Sequence, residues 1–103
     1  MKQKVRAVVK RVGEDPCNST LANTLDACQA CVNGYIEVVH IKPGLIMLVN
    51  EEALIRDDCP FNCCLRTEHG PAPLFGNVLF IGEDGDEFDD CPIGLDEVKR
   101  MIL

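Results

Sequence analysis

The stretch from residue 35 to residue 49 restricts the fold more than any other part of the chain. Residues 35–41 are rich in β-branched side chains, Lys42-Pro43-Gly44 is a turn signal, and residues 45–49 form a second apolar run. Two strand-forming runs around a Pro-Gly turn predict an antiparallel hairpin. Only Glu37 and His40 interrupt its apolar character. A sheet with one wet face alternates apolar and polar residues, so this hairpin asks for cover on both faces.

The rest of the chain supplies that cover. In residues 4–12, Val5, Ala7 and Val9 alternate with Lys4, Arg6, Val8 and Lys10, which is the period of a strand. Residues 13–16 read as a turn. Over residues 20–33, Leu21, Leu25, Cys28 and Val32 recur at helical spacing, with Thr20 or Thr24 to cap the start and Gly34 placed as the C′ residue. Residues 50–76 carry Pro60, Gly70, Pro71, Pro73 and Gly76 and read as a long irregular loop, a kind of segment that often carries function. Residues 77–81 are another strand, and an acidic stretch follows to Asp90. In residues 95–103, Leu95, Val98 and Ile102 share one helical face.

The order is therefore β-α-β-β-loop-β-α. The expected fold is α+β: a mixed four-stranded sheet with two helices on one face, its first strand, helix and second strand forming a right-handed parallel crossover. A length of 103 residues suits one domain over residues 1–103.

Composition narrows the function classes. The net charge is −7, with five basic residues in the first twelve and five more against seventeen acidic ones afterwards. Such a surface repels phosphate backbones and anionic lipid, so the expected partner is a protein, without direct nucleic acid or membrane contact. Aromatic residues are 5% and Trp is absent, which leaves little for base stacking. No apolar run reaches the length of a membrane span, and no apolar segment follows the basic N-terminus, so the expectation is a cytoplasmic chain. Seven cysteines, an odd number, then predict thiols rather than disulfides.

No grouping of residues has the pattern of a catalytic site, and no cofactor is expected. Cys28-x-x-Cys31 falls in the last turns of its helix, where the dipole disfavours a thiolate, so both are read as core residues. No metal site is assigned; the loop thiols Cys59, Cys63 and Cys64 are the candidates if zinc binds at all, against a reading as small hydrophobes that pack the loop down. The acidic run 84–90 departs from the EF-hand template, with Phe88 fifth and no Gly sixth. His40 and His69 read as an edge and a surface histidine. Neighbouring carboxylates such as Glu51 and Glu52 point to opposite sides of an extended chain and need not share a site.

Several segments together carry a family resemblance. They are Leu25-Asp-Ala-Cys28-Gln-Ala-Cys31-Val32-Asn-Gly34-Tyr35-Ile36-Glu37-Val38-Val39, then Leu48-Val49-Asn50-Glu51-Glu52, then Cys59-Pro60-Phe61-Asn62-Cys63-Cys64-Leu65, and lastly Gly76-Asn-Val-Leu-Phe-Ile-Gly82-Glu-Asp84 with Phe88. Over residues 22–102 this order resembles domain of unknown function 3846, a family of small phage, plasmid and bacterial proteins. Cys63 stands where the family pattern tends to have Arg, and Cys59 where it tends to have Leu. The resemblance carries no activity across; it implies an accessory role in a mobile element or bacterium.

The function expected is a non-enzymatic protein-interaction domain, docking through the 50–76 loop, with Asn50, Glu51, Glu52, Pro60 and Asn62 as the contact candidates. Two alternatives stand beside it. One is a small-ligand or zinc-binding domain using the same loop. The other is a phage inhibitor of a host defence nuclease, acting by acidic mimicry of nucleic acid.

Overall fold

A computed structural model describes residues 2–103. Ten elements follow in order: β1 (Lys4–Lys10), β2 (Cys17–Ala22), α1 (Leu25–Val32), β3 (Ile36–Lys42), β4 (Leu45–Asn50), β5 (Phe61–Thr67), β6 (Gly70–Phe75), β7 (Val78–Asp84), β8 (Glu87–Asp89) and α2 (Leu95–Met101). The class is α+β, but the expected four-stranded mixed sheet is wrong. The main sheet has six strands in the order β2-β1-β7-β4-β3, with β8 also on β7, and β5 and β6 form a second, two-stranded sheet.

Every strand pair is antiparallel. The parallel crossover predicted between the first strand and the hairpin does not form, because β7 lies between β1 and β4. Its apolar run Val78-Leu79-Phe80-Ile81 is fully buried and belongs at the centre of the sheet.

Alternation along the central strands sends side chains to both faces. Val5, Ala7, Val9, Ile46, Leu48, Leu79 and Ile81 gather on one face with Cys28 of α1. Val8, Leu45, Met47, Val78 and Phe80 gather on the other, with Cys63, Leu65 and Leu74 of the β5–β6 hairpin and Val98 of α2. The helices thus cover opposite faces, not one. Of the hairpin in residues 35–49, only β4 has the double cover expected of both strands; β3 is the outer strand, with Glu37, Val38, His40 and Lys42 exposed. Each large side chain buried in the sheet contributes about 1.5–3 kcal/mol.

The long loop is also corrected. Most of residues 50–76 is the β5–β6 hairpin, and only the turn after β4 and the approach to β5 are irregular. Pro71 and Pro73 sit in β6, which pairs with β5 alone, and an outer strand tolerates residues without an N–H. Thr24 caps α1, accepting from Ala27 N–H at 3.1 Å. The left-handed residue that ends α1 is Asn33, φ 62°, one position before the glycine expected there. Gly34 answers a different need: a Cβ on it would lie 2.6 Å from the Asn50 amide nitrogen. Pro43-Gly44 makes the β3–β4 turn, with Gly44 at φ 82°.

Candidate functional site

The turn after β4 is built around one buried amide. Asn50 is 3% exposed. Its Nδ2 donates to the carbonyls of Val32 (3.2 Å) and Asn33 (3.1 Å), and its Oδ1 accepts from Glu52 N–H (2.8 Å). The Asn50 carbonyl accepts from Ala53 N–H, and the Glu52 carbonyl from Ile55 and Arg56 N–H. Arg56 closes the turn with a two-pronged pair to Asp58 (2.7 and 2.6 Å) and a bond to the Asn33 carbonyl (3.1 Å). The Arg56 guanidinium holds the Asp58 carboxyl below its usual range.

This fixed turn displays two adjacent apolar side chains. Leu54 and Ile55 are each 80% exposed. They border a cleft of about 150 Å³ whose other walls include Val49, Ala53, Leu74 and Phe75. Phe61 stands edge-on to Phe75 at 5.8 Å between ring centres and is itself more than half exposed. Tyr35, also exposed, joins the turn through its carbonyl, which accepts from Glu51 N–H.

The rim of this cleft is acidic. Glu37 and Glu51 line it, and Glu52, Asp57 and Asp58 belong to the turn. Arg56 is spent on Asp58, whereas Glu37, Glu51, Glu52 and Asp57 have no ion pair among the described residues.

The other expected contact residues fall in different roles. Glu51 is exposed at the cleft, Glu52 is exposed next to it on the turn, and Pro60 is exposed before β5. Asn50 positions the turn from inside. Asn62 is half-buried, donating to the carbonyls of Lys10 and Gly76 (2.8 Å each) and accepting from Lys10 Nζ (2.8 Å), so it ties β5 to the end of β1. Leu54 and Ile55 did not stand out in the sequence. Their signal is an apolar pair bracketed by Glu51-Glu52 and Arg56-Asp57-Asp58.

The thiols do not converge. Cys63 points into the core, Cys64 follows it on the strand, and Cys59 borders a separate cleft with Arg56, Asp58 and Asn77. Among the described residues, no three Cys, His, Asp or Glu side chains gather as a metal would need. Burial pushes the Cys28 thiol up to about 11 and raises Cys31 and Cys63, which makes them poor nucleophiles at neutral pH. His40 is exposed on β3, 3.6 Å from Glu83, and His69 is exposed beside Glu68. No helix among the described residues is long and apolar enough to cross a membrane.

Comparison with curated proteins finds no match, and comparison with solved structures finds none. Residues 4–102 match the family described as Domain of unknown function (DUF3846). The match covers nearly the whole chain and includes all eight strands and the Asn50 turn: the chain belongs to the domain of unknown function 3846 family.

Proposed function

We propose that this chain is a non-enzymatic protein-interaction domain, and that it takes the partner at the cleft beside Leu54 and Ile55. The observation that carries the reading is the display of two adjacent apolar side chains, 80% exposed, on a hydrogen-bonded turn beside a cleft lined by the unpaired carboxylates Glu37 and Glu51. Exposed apolar surface rimmed by polar groups marks interaction sites. The charge selects the partner: a segment with one apolar anchor flanked by Lys or Arg. The anchor enters the cleft, and its basic flanks meet Glu37, Glu51, Glu52 and Asp57, which speeds encounter and sets the register.

The accessory role in a mobile element fits a small domain of this kind. Acidic mimicry of nucleic acid has less support, because the carboxylates here frame an apolar cleft.

Selection from a random peptide display library against the reduced chain tests the proposal. Enriched peptides should share an apolar residue with basic neighbours. Their binding should weaken at high salt, and Leu54→Asp together with Ile55→Asp should abolish it. Enrichment of no motif, or of peptides that bind the double variant equally well, overturns it.

A further inference from the structure

The strands that lack a full set of neighbours are not treated alike. A bare strand edge invites pairing with another chain, and natural proteins blunt it with charge, proline, bulges, short length or a cover. β3 carries Glu37, His40 and Lys42 and has a register break between His40 and Lys42. β6 contains Pro71 and Pro73. β8 has three residues. The outer side of β5 is covered by the chain end, where Leu103 N–H donates to the Cys64 carbonyl and Ile102 bridges Leu65. β2, Cys-Asn-Ser-Thr-Leu-Ala, has none of these devices: it is six residues long, uncharged and free of proline, and its register with β1 is unbroken.

The register shows which groups it offers. Arg6 turns its N–H to Asp90 and its carbonyl to Cys91 N–H, away from β2. Arg6 pairs with Thr20, so the β1–β2 bonds fall on the alternate pairs, at Cys17, Ser19 and Leu21. The N–H and C=O of Asn18 and Thr20 therefore point outward, and no strand meets them among the described residues.

We infer that a second copy of this chain pairs with β2, antiparallel, with Ser19 of each copy at the two-fold axis. In that register Asn18 of one copy faces Thr20 of the other, and the outward groups make two bonds on each side of the axis. The strand itself brings no like charges together, although each copy carries a net charge of −7. Its ends are complementary. Glu14 and Asp15 precede β2, and Lys4 lies beside Ala22 at its far end. Antiparallel pairing sets the acidic end of one copy against the basic corner of the other, two strand spacings or about 10 Å away, across the small Ala22 side chain. This surface is separate from the cleft at Leu54, so either proposal can fail alone.

Sedimentation and amide exchange of the reduced full chain test it. The mass should rise from 11.4 kDa to twice that value with concentration, and exchange at Asn18 and Thr20 should slow in step. Thr20→Pro removes an outward N–H that no bond within the chain uses, and it should give a folded monomer. If that variant does not fold, the coupling of wild-type exchange at these two amides to concentration decides alone. A chain monomeric at every accessible concentration overturns the inference. A dimer whose Asn18 and Thr20 amides exchange freely, or one that survives Thr20→Pro, overturns it as well.

Discussion

Gly34 and Asn50 form one device, and a double-mutant cycle shows it. A Cβ at position 34 would lie 2.6 Å from the Asn50 Nδ2 and 3.4 Å from its Cγ. Gly34 is not among the glycines with positive φ, so the backbone accepts alanine and the penalty is contact alone. The Arg56 tip, at 3.5 Å, is flexible and gives way. The Asn50 side chain is buried and held by three bonds, so it does not. Gly34→Ala should therefore destabilise by about 1–3 kcal/mol, the usual range for overpacking. Asn50→Ala strands the Val32 carbonyl and the Glu52 N–H and should lose about 2–3 kcal/mol. Once the amide is gone the clash goes with it, and replacing a glycine then stabilises by up to about 1 kcal/mol through the unfolded chain. The double variant should thus match Asn50→Ala alone, where simple addition predicts a loss of about 3–6 kcal/mol. Urea and thermal unfolding followed by circular dichroism resolve this, since each kcal/mol moves Tm by about 4–8 °C in a chain of this size. Additivity within about 0.5 kcal/mol, or a neutral Gly34→Ala, refutes the reasoning.

Gly82→Ala should be worse than Gly34→Ala, because its Cβ would meet the backbone carbonyls of Asp90 and Asp89 at 2.1 and 2.9 Å; a loss at or above about 3 kcal/mol is expected in urea unfolding, and a loss below 1 kcal/mol on the same scale would contradict the packing described. Burial holds the folded Cys28 thiol at about 11 against an ordinary value of 9.0. A raised thiol favours the folded state fully below the ordinary value, so stability should fall as pH climbs from 9 to 11, and Cys28→Ala should flatten that fall. Asp58, Asp89 and Asp90 are held low by Arg56 and Lys2, so their contribution is present above the ordinary carboxylate value of 3.8 and should disappear as pH drops below it, which acid titration of the melting temperature reads. Native mass spectra of the reduced chain should be the same with and without a chelator, since no three metal-ligating side chains gather among the described residues; a chelator-sensitive added mass would revive the zinc reading.

The centre of the fold was legible and its borders were not. β4 and β7 announce themselves because both of their faces are apolar, β1 because Val5, Ala7 and Val9 alternate with Lys4, Arg6 and Lys10, and Pro43-Gly44 and Thr24 mark turns by local chemistry. β2, β5, β6 and β8 are hidden for one physical reason: strands with a neighbour on one side only need little apolar content. Cys17–Ala22 is half polar, and the helical stripe through Leu21 runs across its end. Pro71 and Pro73 read as breakers although an outer strand accepts them. Glu87–Asp89 reads as a solvated turn. The site divides in the same way. Glu51 and Glu52 were visible as an acidic pair after a strand, whereas Leu54 and Ile55 look like any core residues until the turn is seen to hold them in water. Asn50 looks like a contact in the sequence and is the support beneath it.

The place of β7 also governs the order in which the chain can assemble. The β1–β2 and β3–β4 ribbons are each local in sequence and can form as soon as they leave the ribosome. Neither joins the other until β7, residues 78–84, slides between β1 and β4. Until β7 arrives, the two ribbons wait with open inner edges, and isolated two-stranded ribbons are marginal in water. Pairing over such a span is slow, and unpaired edges are aggregation-prone while they wait.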